Sequence, residues 1–315
     1  MIGVLDRTEA GGEATLCGQP SDQAINGRVA EACAEGMNTT MAAAEDVGPA
    51  VQARTPRQAA LSDILGGLRR WDLWGTMGWY DVRQHYRRSV LGPFWLTLSM
   101  AVMVGALGFL YGGLFGHSLP DYLPYLALGL IFWSFMASFM TEGCTVFTAA
   151  APFIHQVNAP LSIYPLRLLW KNLIILAHNA LVFVAVAVMF AVWPGAVGLL
   201  MVPALIVVCL AGLSISVLLG LLTSRFRDIP PIVSSLVQIL FFVSPILWKP
   251  EQIPSRALFV DGNPFFHLLN IVRQPLLGEL PELSSWIFAL ALTLAASLLA
   301  GFCFVRLRSR IAYWV

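Results

Sequence analysis

Between Arg88 and Asp121 the chain carries no Asp, Glu, Lys or Arg. An uncharged apolar run of that length matches a helix that crosses a hydrocarbon layer of about 30 Å, for which roughly 17–25 residues are needed. Comparable runs recur downstream, and the sequence predicts spans at about 94–115, 122–141, 173–193, 196–222, 232–248 and 286–305. The fifth is the shortest and contains Pro245, so it also suits a partly re-entrant element. Composition agrees: 57% of residues are hydrophobic, 12% are charged and mean hydropathy is +0.72, against about 25% charged in soluble domains. The expectation is an all-α membrane protein with six transmembrane helices.

Lys and Arg positions orient these spans, because short loops rich in them stay cytoplasmic. With the N terminus inside, twelve fall on the inner side (Arg69, Arg70, Arg83, Arg87, Arg88, Arg167, Lys171, Arg225, Arg227, Arg306, Arg308, Arg310) and three on the outer (Lys249, Arg256, Arg273). Both termini are therefore expected in the cytoplasm. Trp95, Trp170, Trp193, Trp248 and Trp286 fall at predicted membrane ends, where an amphipathic ring suits the headgroup level; Trp133 lies well inside a span.

Residues 1–58 differ from the rest. They contain no Trp, Phe or Tyr and more acid than base, the composition of a disordered cytoplasmic tail, and residues 59–315 form the transmembrane domain. A basic segment followed by an apolar one, as in a signal peptide, is missing from the tail, so neither cleavage nor export of it is expected. The five cysteines (Cys17, Cys33, Cys144, Cys209, Cys303) are scattered singly, which indicates free thiols and neither a disulfide framework nor a metal site.

Ahead of the first span, Leu65, Leu68, Trp71, Trp74, Gly78, Val82 and Tyr86 recur every three or four residues and make one apolar face. Arg70, Asp72, Asp81, Arg83 and Gln84 occupy the other, and Ser62 or Asp63 is positioned to cap the start. This predicts an N-terminal amphipathic helix lying in the cytoplasmic interface; a helix packed on another domain has the same pattern.

Ion-coupled carriers usually place ionisable residues within their spans, whereas here His178, beside Asn179, is the clear exception. Interhelical hydrogen bonding is the reading for both, with a proton relay as the alternative. A phosphate-binding loop needs Gly-Lys-Ser/Thr, yet the two lysines, Lys171 and Lys249, each follow a tryptophan. Any ATP hydrolysis belongs to a separate subunit.

The stretch Tyr86-Arg87-Arg88-Ser89-Val90-Leu91-Gly92-Pro93-Phe94-Trp95 resembles the Y-[KR]-x-S-x-L-G-P-x-W motif of the membrane subunits of ABC type-2 exporters, in the branch that exports O-antigen, capsule and teichoic-acid polysaccharides. Asn158-Ala159-Pro160 with Tyr164-Pro165, Arg225-Phe226-Arg227-Asp228 and Asn263-Pro264-Phe265-Phe266-His267 extend the likeness over about residues 60–315. The resemblance implies a permease homodimer in the cytoplasmic (inner) membrane, seated on a dimer of nucleotide-binding subunits that carry the ATP and Mg. It implies no cofactor in this chain, a lipid-linked polysaccharide as cargo, membrane lipids as neighbours and no nucleic acid. It also implies a short coupling helix at about 153–159 (Phe153, Ile154, His155, Gln156, Val157, Asn158). An interfacial gate helix with its motif (Trp71, Trp74, Tyr86, Arg87, Arg88, Gly92, Pro93) and an outer element at Asn263, Pro264, Phe265 and His267 follow from the same likeness. Arg167, Lys171, Arg225 and Arg227 equally suit a role in topology alone.

Six helices enclose a wide polymer path poorly, so a two-fold dimer with the path at its interface is expected. Gly108, Gly112 and Gly116, and Gly212, Ser216 and Gly220, are stripes for close helix contact. Aromatic faces suit sliding sugar rings, and candidates are Tyr111, Phe115, Phe132, Trp133, Phe135, Phe139, Phe241 and Phe242, with Tyr111 and Phe242 foremost. Phe265, Phe266, Leu268, Leu269, Ile271 and Val272 are too apolar for a solvated loop and predict short re-entrant helices before the last span, a surface helix being the alternative. The same fold moving a drug, haem or lipid, a membrane-embedded transferase, and a passive channel are the competing functions; a catalytic trio is not in evidence.

Overall fold

The computed structural model describes residues 55–85, 92, 94–157, 159–250 and 260–315. Among them there is no strand, and ten α-helices follow in order: α1 (Pro56–Arg69), α2 (Trp71–His85), α3 (Phe94–Phe115), α4 (Leu119–Cys144), α5 (Ala151–Gln156), α6 (Ile163–Phe190), α7 (Met201–Arg225), α8 (Ile229–Val243), α9 (Pro264–Leu276) and α10 (Leu283–Trp314). Short 3-10 turns precede α5 (Thr148–Ala150) and α7 (Gly195–Leu200). Helices α3, α4, α6, α7 and α10 are long and apolar enough to cross a membrane.

Helix α4 is the central post. Its apolar window is 72% buried, against 17–39% for the other four crossing helices, so those four turn most of their apolar side chains outward, as lipid requires. Close approach explains most of the glycine stripes: a Cβ on Gly212 of α7 would lie 2.4 Å from the Phe139 ring of α4, and one on Gly108 of α3 only 2.0 Å from Leu123, whereas Gly116 has open space around it and a φ of +67°. Both contacts are within one protomer.

The fifth predicted span divides into a short helix and an irregular segment. Helix α8 has 15 residues, about 22 Å at 1.5 Å per residue, which is short of the hydrocarbon thickness. Pro245 disfavours helical geometry at Ser244, whose ψ is 144°, and the chain continues without helix through Lys249. Its carbonyls are met by side chains. Tyr122 donates to Leu247 O, the Tyr125 hydroxyl lies 3.0 and 3.1 Å from the carbonyl oxygens of Pro245 and Trp248, and Arg273 Nη1 donates to Pro245 O at 2.9 Å. Irregular backbone at membrane depth survives only when protein satisfies it in this way.

The region before α3 also differs from expectation. Two helices form, broken at Arg70 (φ −91°, ψ 51°). Thr55, and neither Ser62 nor Asp63, caps the first: Gln58 N donates to Thr55 Oγ1 and Thr55 N to Gln58 Oε1, a reciprocal capping box. Leu65, Leu68 and Trp71 are exposed while Ala60, Asp63 and Gly67 are buried, so the predicted apolar face points outward along much of its length. Helix α2 lies on α6, where a Cβ on Gly78 would come 3.0 Å from Trp170. Helix α6 begins ten residues before the predicted third span and carries Arg167 and Lys171 on helix. The predicted tail lies outside the described residues apart from its last four. Cys144 is buried and Cys209 and Cys303 half-buried, all as free thiols; Cys17 and Cys33 are outside the described residues.

Candidate functional site

Three features gather at the end of the bundle that carries α1, α2, α5 and the last turns of α10. The first is α5 itself, a helix of six residues at 151–156, slightly ahead of the expected 153–159. Ile154 packs inward against Phe147, Tyr164 and Phe304, while Phe153 and Val157 are about half exposed. His155 Nε2 lies 3.2 Å from the Val315 carbonyl oxygen, and Gln156 is exposed; Asn158 lies outside the described residues.

The second is a carboxylate hub that the sequence did not reveal. Asp63 sits mid-helix on α1 with a fully buried side chain. It accepts from Leu161 N (3.1 Å) and Ser162 N (2.9 Å), just ahead of α6, and from Arg308 Nε of α10 (2.8 Å). Ser162 Oγ donates back to the Asp63 carbonyl at 2.8 Å. One charge thereby caps the approach to α6 and joins it to the interfacial helix and the last span. No local spacing signals this, because its partners are 98 to 245 residues away.

The third is a cavity of about 740 Å³ between α2, α4 and α6. Two ion pairs line it: Arg167 bonds both carboxylate oxygens of Asp81, and Lys171 bonds Glu142. Ser134, Ser138, Asn172 and Asn179 continue it between the helices. The predicted interhelical bonding of the His178 and Asn179 side chains is not found among the described residues. His178 Nδ1 donates to Ile174 O on its own helix, and it is the His178 backbone carbonyl that accepts from Thr97 of α3. Asn179 Oδ1 has no partner among the described residues.

Of the expected gate residues, Trp71 is exposed and Trp74 sets its ring edge-on to Trp170 at 6.0 Å. Gly92 has φ +55°, a left-handed conformation that side chains with a Cβ resist. Tyr86, Arg87, Arg88 and Pro93 lie outside the described residues.

At the opposite end, α9 is a buried short helix, as the apolar pattern predicted. Asn263 caps it, accepting from Phe265 N and donating to Ser244 Oγ, with Pro264 in its first turn. His267 Nε2 donates to Asp261 O at 2.8 Å, its Nδ1 lies 3.1 Å from Ser285 Oγ, and its ring stacks on Phe288. Arg273 is almost fully buried; its guanidinium bonds Pro245 O and Asn270 Oδ1 and sits 3.9 Å over the Tyr125 ring. These are anchors that tie α9 to α4, to the chain after α8 and to α10. Beside them opens a cavity of about 980 Å³ with Asp121, Lys249, Asp261, Glu279 and Glu282 on its walls.

The aromatic candidates divide. Phe132, Trp133, Phe135 and Phe139 are buried in the core around α4, away from the uncovered faces of α3 and α8, and Phe135 borders the cavity between α2, α4 and α6. Tyr111 stacks on Phe115 at 5.7 Å on α3, and Phe241 meets Trp133 at 5.9 Å while Phe242 is exposed on α8. Both helices flank α4 and leave their other faces uncovered.

Residues 72–277 match the family model for the ABC-2 type transporter, from the first turn of α2 to just past the end of α9. The chain belongs to the ABC-2 type transporter family. Relatives within it include the O-antigen export system permease protein RfbA of Klebsiella pneumoniae, 24% identical over 196 residues that cover 62% of this chain and 76% of that protein. The RfbA protein of the same description from Myxococcus xanthus is 21% identical over 194 residues, 60% and 74% of the two chains. As an ABC-2 membrane subunit, the protein is a multi-pass transport component whose family works with a separate ABC ATPase.

Proposed function

We propose that this protein is the permease subunit of an ATP-driven exporter that moves a lipid-linked polysaccharide across the cytoplasmic membrane. The observation that carries the reading is the likeness to O-antigen export permeases along about three quarters of their length. Two copies face each other across α3 and α8, whose exposed faces bear Phe115 and Phe242, with Tyr111 half-buried and stacked on Phe115, and the glycan passes between them. Helix α5, with Phe153 and Val157 outward, fits a cleft in the ATPase. The crowding of Lys and Arg at that same end supports a cytoplasmic position for it and for both termini. Gly92 and the helix Trp71–His85 act as the gate where cargo enters, and α9 closes the outer mouth.

Deleting the chain in its own bacterium should remove long-chain surface polysaccharide and leave lipid-linked glycan accumulating inside, as read by immunoblotting of surface and membrane fractions. Unchanged surface glycan would contradict the cargo assignment.

A further inference from the structure

The cavity between α2, α4 and α6 contains polar groups that the fold itself does not use. Asn172 is only 2% exposed, yet neither its Oδ1 nor its Nδ2 has a hydrogen-bond partner among the described residues, and Asn179, 4% exposed, leaves Oδ1 unmet. A buried unpartnered amide costs stability, so a chain that keeps two of them on one cavity wall has a use for them outside its own packing. Positions 172 and 179 are two helical turns apart and share a face. Ser134 and Ser138, one turn apart, line the same cavity from α4.

We propose that this cavity is a binding site for a neutral, hydroxyl-rich ligand, the sugar portion of the cargo, gripped by Asn172 and Asn179 before it reaches the dimer interface. The inference rests on the polysaccharide reading above. A primary amide sets an acceptor beside a two-hydrogen donor, which complements neighbouring hydroxyls that both donate and accept. Charge argues against an anionic ligand: the two cations on the walls, Arg167 and Lys171, are already engaged by Asp81 and Glu142. Deeper in, the polar lining is amide and hydroxyl only.

The test uses the full chain with its ATPase in glycan-producing cells. A photoreactive benzoylphenylalanine is placed at position 179, at position 111 on the proposed interface path, and at position 189, where Met189 is exposed on the outer surface of α6. Irradiation should give a sugar-staining ladder of permease adducts from 179 and none from 189. In parallel, Asn172→Leu should lower surface glycan at least tenfold while the purified complex melts no lower than the parent, because the replaced amide has no partner among the described residues. A ladder from 111 without one from 179, an adduct at 179 that proves to be phospholipid, or full export by Asn172→Leu would each overturn the site. The first of these would leave the export function standing, whereas unchanged surface glycan on deletion of the whole chain would remove that function instead. If no position gives a ladder, the Asn172→Leu export level decides.

Discussion

The buried carboxylate of Asp63 takes two backbone N–H groups and one guanidinium from segments far apart in sequence, beside the apolar cluster of Ala60, Tyr164 and Phe304. Asp63→Ala leaves Arg308 without its partner and two amides uncapped, a loss of about 3 kcal/mol given that Arg308 is itself partly solvated. The expected outcome is a lower melting temperature in detergent and weaker ATPase coupling, since the segment it caps leads directly from α5 into α6. At the other end, Tyr122→Phe strips the donor from a buried carbonyl at Leu247 and should cost about 1–3 kcal/mol. Thermal denaturation of the purified protein checks both, and an unaltered melting curve for either variant would remove that residue from its assigned role. The left-handed φ of Gly92 leads to a third expectation: Gly92→Val strains the backbone by about 1–2 kcal/mol and should reduce surface glycan while membrane insertion, read by fractionation, is kept.

Elements differ in how plainly the sequence announces them. The crossing helices α3, α4, α6, α7 and α10 are legible as long apolar runs because lipid imposes a length and forbids charge, and α9 is legible because six large apolar side chains crowd into a stretch otherwise marked as a loop. Helix α8 is not, since its apolar run continues past Pro245 as buried irregular chain, and hydropathy alone does not separate helix from chain held by Tyr122, Tyr125 and Arg273. The break at Arg70 is hidden for a related reason: the three-to-four periodicity continues across it. Near the candidate site, a short helix is expected from the family pattern and one is found at Ala151–Gln156, whereas Asp63 and Asn172 acquire meaning only from partners, or the lack of them, in three dimensions. The exposed face of α5 yields its own expectation. Phe153→Glu, at a side chain about half exposed, should leave stability within about 0.5 kcal/mol and cut permease-stimulated ATP hydrolysis at least tenfold; an undiminished rate would move the docking surface elsewhere.

At the scale of the whole molecule, Lys and Arg cluster at one end of the bundle, where three ion pairs form, at Asp63–Arg308, Asp81–Arg167 and Glu142–Lys171. The crossing helices are nearly free of charge, and the sequence lacks a phosphate-binding loop. With few ionisable groups in its spans for ion coupling, such a bundle is proposed to take its driving force through the end where α1, α2 and α5 meet. The most direct measurement is transport in proteoliposomes that hold lipid-linked glycan and the permease, with and without its ATPase. Glycan should cross only when the ATPase and hydrolysable ATP are both present, and not at all in vesicles containing the permease alone. Flux of equal rate without the ATPase would contradict the account.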